Sequence, residues 1–368
     1  MTDETEKRKG SHLRVCLDKD VQAQYVRSGF GDLTLVHRAL PEMNRNDIDL
    51  STVFLKKRMK APIVISAMTG GVREAEKINI VFAEVAERMG LAMGVGSQRA
   101  AIEDGSLART FRAVRDAAPS IPLMANLGAP QLGAGWGIKE ASEAVNMIEA
   151  DGLAIHLNSL QEAAQPEGEP QYRGVLDKIR EIRKALGVPL IVKETGAGVS
   201  SEDAKRLEDA GVSILDVAGA GGTSWAAVEY YRARDLGDDV GIRLGKTFWD
   251  WGIPTAVSIV ECARSTSLPL IASGGIRSGL DAAKSIALGA DLVGVALPFL
   301  KAAARGRREL QWEIEMVLNE LSCAMFLTGA EDLEELGQVP IVATGSLADW
   351  LFSRGYSTID LARRSANV

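Results

Sequence analysis

The 368-residue sequence predicts an α/β chain: a (β/α)8 TIM barrel with an N-terminal arm and a C-terminal helical extension. Three observations carry this reading. A short apolar run followed by an amphipathic stretch recurs eight times over roughly 240 residues, the size of one such barrel. The runs are too continuously apolar to alternate, as parallel strands covered on both faces require. Finally, 37 glycines against only 5% aromatic residues suit many tight strand-to-helix turns better than an aromatic-rich sandwich.

In chain order the strands are expected at Pro62–Ser66, Leu91–Val95, Pro122–Asn126, Leu153–Leu157, Pro189–Lys193, Ile214–Val217, Pro269–Ala272 and Asp291–Ala296. Between them, Glu74–Arg88, Ser142–Ala150, Tyr172–Leu186, Ser201–Ala210 and Leu280–Leu288 repeat apolar residues at three and four, the period of an amphipathic helix. The excursion from Gly219 to Gly252 holds Trp225, Tyr230, Tyr231, Trp249 and Trp251; too long for a bare connection, it is expected to form a lid. Leu310–Leu327 reads as a long last helix. The domains are therefore residues 1–61 as arm, 62–328 as barrel and 329–368 as extension. The acidic run Glu331–Glu335 and the basic run Arg305–Arg308 are expected to be solvated surface.

Composition narrows the function. With 46% apolar and 25% charged residues and a mean hydropathy of +0.02, the chain is neither disordered nor a polytopic membrane protein. A net charge of −7 without a basic arm or domain argues against nucleic acid. Cys16, Cys262 and Cys323 are odd in number and show no metal or redox spacing, and the N-terminus lacks an apolar leader, so a cytoplasmic protein without a membrane span is expected.

Two glycine patterns, Gly196–Ser201 and Gly219–Ser224, imitate a dinucleotide fingerprint, but each lacks the third glycine that close helix packing needs. A stronger phosphate signal is Ala272-Ser273-Gly274-Gly275-Ile276-Arg277-Ser278-Gly279 after the seventh strand, with Gly294-Val295-Ala296-Leu297-Pro298 at the eighth. This is where such barrels hold phosphate, with bare backbone N–H groups and a helix N-terminus. The earlier strands end in polar clusters: Ser66–Gly71, Gly96–Arg99, Asn126–Gly128, His156–Glu162 and Lys193-Glu194. A ring of polar residues on one rim marks a site. Lys193 by itself is compatible with a Schiff-base lysine, a phosphate ligand or a fixed charge against a cofactor. Glu162 is a candidate Mg²⁺ ligand, since that ion takes one or two carboxylates plus substrate phosphates.

Taken in order, Arg8-Lys9-Gly10-Ser11-His12, Met68-Thr69-Gly70-Gly71, Gly96-Ser97-Gln98-Arg99, His156-Leu157-Asn158, Gln161-Glu162, Gln165-Pro166-Glu167-Gly168, Val192-Lys193-Glu194 and Ala218–Trp225 closely resemble the type 2 isopentenyl-diphosphate isomerases over nearly the whole chain. The Ser273–Gly279 segment and Ala287–Ala290 are shared with other FMN-dependent barrels, including α-hydroxy acid oxidases. The resemblance implies interconversion of isopentenyl and dimethylallyl diphosphate by a 1,3-proton shift, with reduced FMN, Mg²⁺ and NADPH as reductant, in a homo-oligomer that is a tetramer or larger. It implies FMN contacts at Ser66, Ala67, Met68, Thr69, Ser97, Asn126, Lys193, Thr223, Gly275, Ile276, Arg277, Ala296 and Leu297, the last five around the phosphate. Arg8, Lys9, Ser97, Gln98, Arg99, His156, Asn158 and Gln161 are implied for the diphosphate, Glu162 for Mg²⁺, and Lys193, Gln161 and His156 as catalytic. The arm thereby becomes part of the substrate site. Charges balance to about +1 before the FMN phosphate: Mg²⁺, Arg8, Lys9, Arg99 and Lys193, less Glu162, face roughly −3 on the diphosphate and −1 on reduced flavin. The rim shows no obvious side-chain acid/base pair, so the flavin itself is expected to move the protons while the protein positions it.

Two other readings compete. A hydroxy-acid oxidase needs a base near the flavin, and members of that group carry a His beyond the sixth strand where this chain has Ala218–Thr223. A flavin- or metabolite-binding sensor is permitted by the fold, but the arm, the rim ring and Glu162 argue against it.

Overall fold

Eight parallel strands pair in the order in which they occur along the chain, and the first pairs with the last. They are Ile63–Ile65, Ala92–Gly94, Leu123–Gly128, Gly152–Leu157, Leu190–Glu194, Ile214–Asp216, Leu270–Ala272 and Leu292–Val295. The architecture is the expected (β/α)8 barrel, each strand lying where its apolar run predicts. This computed structural model describes residues 2–68, 70 and 73–364.

Prolines set four of the strand entries. Pro62, Pro122, Pro189 and Pro269 stand one residue before a strand, and their carbonyls accept the N–H groups of Val293, Met93, Leu153 and Leu215. Proline lacks an N–H but keeps its acceptor, so it can open a strand without leaving a ladder bond unmade.

One inward residue from each strand forms the lower barrel layer: Val64, Ala92, Met124, Ala154, Ile191, Ile214, Ile271 and Leu292. The hairpin Thr52–Phe54 and Lys57–Met59 plugs this end, with Phe54 and Met59 buried against that layer. Side chains alternate along a strand, so two residues further up the inward positions become Ser66, Gly94, Asn126, His156, Lys193, Asp216, Ser273 and Gly294. The barrel thus changes from apolar to polar within one layer, and the polar layer floors its open mouth.

The terminal segments wrap this barrel. Thr2–Asp18 is one helix that buries Leu13, Val15 and Cys16. Leu33–Leu35 pairs antiparallel with Ile341–Ala343, so the N-terminal segment and the C-terminal extension share a small sheet. Arg307–Thr328 is the expected long helix. The helix expected at Ser142–Ala150 instead spans Ile138–Met147, because the Glu140 carboxylate accepts the Gly137 N–H and caps the start four residues earlier.

Between Gly219 and Gly252, where a lid is expected, the chain forms two helices. The segment is a helical hairpin, Trp225–Leu236 followed by Asp239–Thr247, anchored by a buried Trp249. The Trp249 indole donates to the Gln22 carbonyl, and its own carbonyl accepts from Ser224 Oγ. Of the aromatic residues in this segment, Trp249 is buried whereas Trp251 is exposed. No helix among the described residues is long and apolar enough to cross a membrane.

On the outside of the barrel, buried Arg115 ties the third and fourth units together. Its guanidinium donates to the carbonyls of Ala118, Ile121, Ile148 and Glu149 and pairs with Asp151 at 2.9 Å. Arg115→Met orphans these acceptors, so a loss of roughly 3–5 kcal/mol is expected in denaturant unfolding.

Candidate active site

The polar layer opens into a cleft at the C-terminal ends of the strands. Twelve of the residues singled out from the sequence line it: Arg8, Lys9, Ala67, Met68, Ser97, Arg99, Asn126, His156, Asn158, Gln161, Glu162 and Lys193. They come from the arm helix and from the ends of strands one to five, segments up to about 185 residues apart in the chain.

One end of the cleft is cationic. The arm helix lays Lys9 against the second strand exit, where Nζ donates to the Ser97 carbonyl at 2.7 Å and lies 5.8 Å from the Phe111 ring centroid. Burial, reinforced by neighbouring Arg8, pulls the Lys9 pKa down to about 7. Arg99 is held by Glu103 at 2.8 Å and by Glu169 at 3.5 Å. Lysine and arginine thus converge, with no carboxylate on Lys9 itself among the described residues, a ready receptor for a polyanion.

The middle of the cleft is a hydrogen-bond relay. Asn126 donates through Nδ2 to the Val95 carbonyl, which leaves Oδ1 to accept from His156 Nδ1 at 2.8 Å. Burial and the charges of Lys193 and Lys9 push the His156 pKa down to about 3, so the imidazole is neutral. Glu162 accepts from Asn158 Nδ2, Gln165 Nε2 and the Glu169 N–H. Gln161 Nε2 donates to Glu229 Oε1 at 3.1 Å while its own oxygen faces Asn158 at 3.3 Å, which fixes the amide at both ends. Above Lys193, the Glu194 carboxylate accepts three consecutive N–H groups, from Thr195, Gly196 and Ala197, and sets the turn that follows the fifth strand.

Glu229 was not singled out from the sequence. It is fully buried, accepts from His12 at 2.8 Å and from Arg232 at 2.5 Å, and Arg232 also pairs with Glu167. Burial raises its pKa, but His12 and Arg232 more than offset this and hold it below the usual carboxylate range. Its signal was present: one carboxylate interrupting the apolar run Trp225-Ala226-Ala227-Val228, one turn after a tryptophan. The His12 ring meets Trp225 edge-on at 5.4 Å, so the arm docks on this helix through both contacts.

Gln98 departs from its expected role. The side chain is fully buried outside the cleft, where Nε2 donates to the Ala144 carbonyl and Oε1 accepts the Asn126 N–H. It braces the strand ends instead of meeting a diphosphate. Thr69 lies outside the described residues.

The remaining positions form a second zone beside the cleft. Thr223 lies on a loop over which residues 21–28 fold: Ala23 donates to the Gly222 carbonyl and Ser224 to that of Val21. Gly274 and Gly275 adopt φ of 96° and 70°, and a Cβ on Gly222 would stand 2.3 Å from the Gly275 nitrogen. Only glycine fits this crossing. Ile276 is buried, whereas exposed Arg277 turns its guanidinium to the Gln22 side chain at 3.1 Å and to the Ile276 carbonyl. Ala296 and Leu297 start the helix Leu297–Arg305, where free N–H groups favour an anion.

Against known proteins, residues 139–343 match the family model of the FMN-dependent dehydrogenases. Solved mandelate oxidase structures superpose with TM-scores of 0.59: a variant with a monooxide FMN adduct is 17% identical, covering 93% of this chain and 99% of that one, and a complex with (S)-2-phenylpropionate is 18% identical, covering 93% and 97%. Fold and glycine cradle together define an FMN-dependent (β/α)8-barrel protein. Isopentenyl-diphosphate delta-isomerases of Methanosarcina mazei and Methanothermobacter thermautotrophicus are 49% identical over 362 residues and 50% identical over 358 residues. The first match covers 98% of both chains, the second 97% of this chain and 99% of the relative; that of Pyrococcus furiosus is 48% identical, covering 94% and 89%. The chain belongs to the isopentenyl-diphosphate delta-isomerase family, in its FMN-dependent form.

FMN fits the residues present. Ser66 Oγ is buried in the polar layer without a partner among the described residues, an orphaned polar atom that a bound flavin would satisfy.

Lys9 makes the cationic end testable. At pH 8 the free amine is mostly neutral, and a bound polyanion restores its proton. Titrating with inorganic diphosphate in two buffers of different ionisation enthalpy should show net proton uptake that grows from pH 7 to 8, and Lys9→Met should remove most of it.

Proposed function

We propose that this chain interconverts isopentenyl and dimethylallyl diphosphate by a 1,3-allylic proton shift, with reduced FMN, Mg²⁺ and NADPH as reductant. The observation that supports it most is the convergence of Arg8, Lys9 and Arg99 at one end of a cleft whose other end carries Lys193. A diphosphate at the first end and a flavin ring at the second leave the C5 chain between them, in a cleft whose lining includes the apolar side chains of Leu13, Trp225 and Leu300.

In this reading Arg8, Lys9, Ser97, Arg99, His156 and Asn158 hold the diphosphate. Glu162 holds the Mg²⁺ in this reading, with phosphate oxygens and water as its other ligands. Binding energy from the ionic end fixes the position of an alkene that offers little to grip.

Reduced FMN, when bound, supplies the donor and acceptor for the allylic protons. The protein's own groups are poor candidates for that work. His156 is neutral with a pKa near 3, Glu162 already accepts three donors, and Gln161 is an amide. Gln161, oriented by Glu229 and Asn158, instead holds the substrate's hydrocarbon end and excludes water; Lys193 balances the charge of the ring. Ser66, Ala67, Met68, Asn126 and Thr223 contact the ring and its side chain, and Gly275, Ile276, Arg277, Ala296 and Leu297 its phosphate.

The same proposal includes a cytoplasmic homo-oligomer. Its support is three free cysteines and the exposed apolar side chains of Tyr25, Phe352 and Ile359.

Anaerobic incubation with FMN, NADPH, Mg²⁺ and isopentenyl diphosphate in D₂O, followed by NMR, should give deuterated dimethylallyl diphosphate without stoichiometric NADPH loss. Bound, reduced flavin with neither isomer nor exchange would refute the activity. Arg8→Ala and Arg99→Ala should each raise KM about tenfold to a hundredfold, the worth of a charge-assisted contact, while FMN content stays unchanged. Glu162→Gln should abolish the response of rate to Mg²⁺.

A further inference from the structure

The polar layer beneath the cleft contains two opposite charges side by side. Lys193 and Asp216 are Cα partners in the ladder between the fifth and sixth strands, and both line one small enclosed space with Ser66 and Asn126. Nothing in the diphosphate or Mg²⁺ site requires a carboxylate here. Asp216 is 5% exposed, and burial raises its pKa against the pull of Lys193, Ser273 and the Ala218 N–H.

Its contacts lead to the two glycine loops. Ser273 Oγ donates to Asp216 Oδ1 at 2.5 Å, and Ser273 opens the Ser273–Gly279 loop. Two residues on from Asp216, Ala218, with φ of 34°, opens the Ala218–Trp225 loop in a conformation that side-chain-bearing residues rarely adopt. Lys193 Nζ itself donates to the Glu194 carbonyl at 2.9 Å, so Asp216 acts on it as a neighbouring charge.

We propose that Asp216 is a positioning residue for the cofactor: a buried counter-charge that limits the positive field Lys193 presents to the FMN ring and clamps the two loops around it. This rests on the reading that the ring lies against Lys193. Negative charge beneath the ring disfavours its anionic reduced form and raises that form's proton affinity. A cofactor that moves protons and leaves the reaction unchanged in redox state needs that property.

The test is the midpoint potential of bound FMN, measured by anaerobic spectroelectrochemistry in the FMN-loaded full chain. Asp216→Asn removes the charge; Asp216→Ser does so with a hydroxyl that can still bond Ala218 and Ser273. Both should raise the potential, with reduced FMN held at least tenfold more tightly relative to oxidised, about 30 mV for a two-electron couple. Lys193→Met should lower it. In the Lys193→Met background the Asp216→Asn shift should vanish, because a buried carboxylate without its cation takes up a proton. Unchanged potentials in both Asp216 variants, with Lys193→Met still lowering the value, would overturn the inference and leave the Lys193 reading intact. A Lys193→Met protein with unaltered potential and FMN affinity would overturn both. If both Asp216 variants fold by circular dichroism but lose FMN, the residue is a clamp only, and the electrostatic role falls.

Discussion

Pairing between Ile63–Ile65 and Leu292–Val295 closes the sheet and removes its edges. Closure constrains far more than stability. It locks the inward and outward faces of all eight strands together, since a one-residue slip in any strand would exchange them. With Val64, Met124, Ile191 and their counterparts packed on the hairpin, Ser66, Asn126, Lys193 and Asp216 must share the layer above. The active site is the next layer of the same core.

That layer by itself is an open dish, and the N-terminal helix makes it a cleft. The helix is held by a buried charge cluster, His12 and Arg232 on Glu229, with Gln161 drawing on the same carboxylate. A buried carboxylate without partners would cost several kcal/mol, so arm docking and the order of the Gln161–Glu162 turn are coupled. Trp249 and Ser224 secure the other side of the helical hairpin.

Electrostatics divides the cleft by function. The cationic end gathers Arg8, Lys9 and Arg99, and burial pulls the pKa of Lys9 down to about 7. The cofactor end has one lysine set beside a carboxylate inside the barrel. Between them the groups are neutral or fully hydrogen-bonded. Such a division suits chemistry in which the protein anchors an ionic tail, keeps its own acids and bases out of the reaction, and leaves proton movement to a bound ring.

The sequence by itself determined the barrel, because eight apolar runs of strand length, four opened by proline, have no other economical burial, and it determined the polar rim, because strand ends in one barrel point the same way. It also carried the arm's Arg8 and Lys9 through the resemblance, though composition alone reads them as a frayed terminus. Only the tertiary structure decided which rim residues face the cleft. Gln98 and Ser97 are adjacent in the chain, yet Gln98 turns into the wall because the Asn126 N–H and the Ala144 carbonyl, from distant segments, complete its amide. Glu229 entered the site because its helix folds back across the arm, and Asp216 gained its meaning from lying beside Lys193, 23 positions earlier in the chain. Periodicity is a local property and survives in one dimension; the partner that satisfies a buried polar group comes from anywhere in the chain, and only packing in three dimensions selects it.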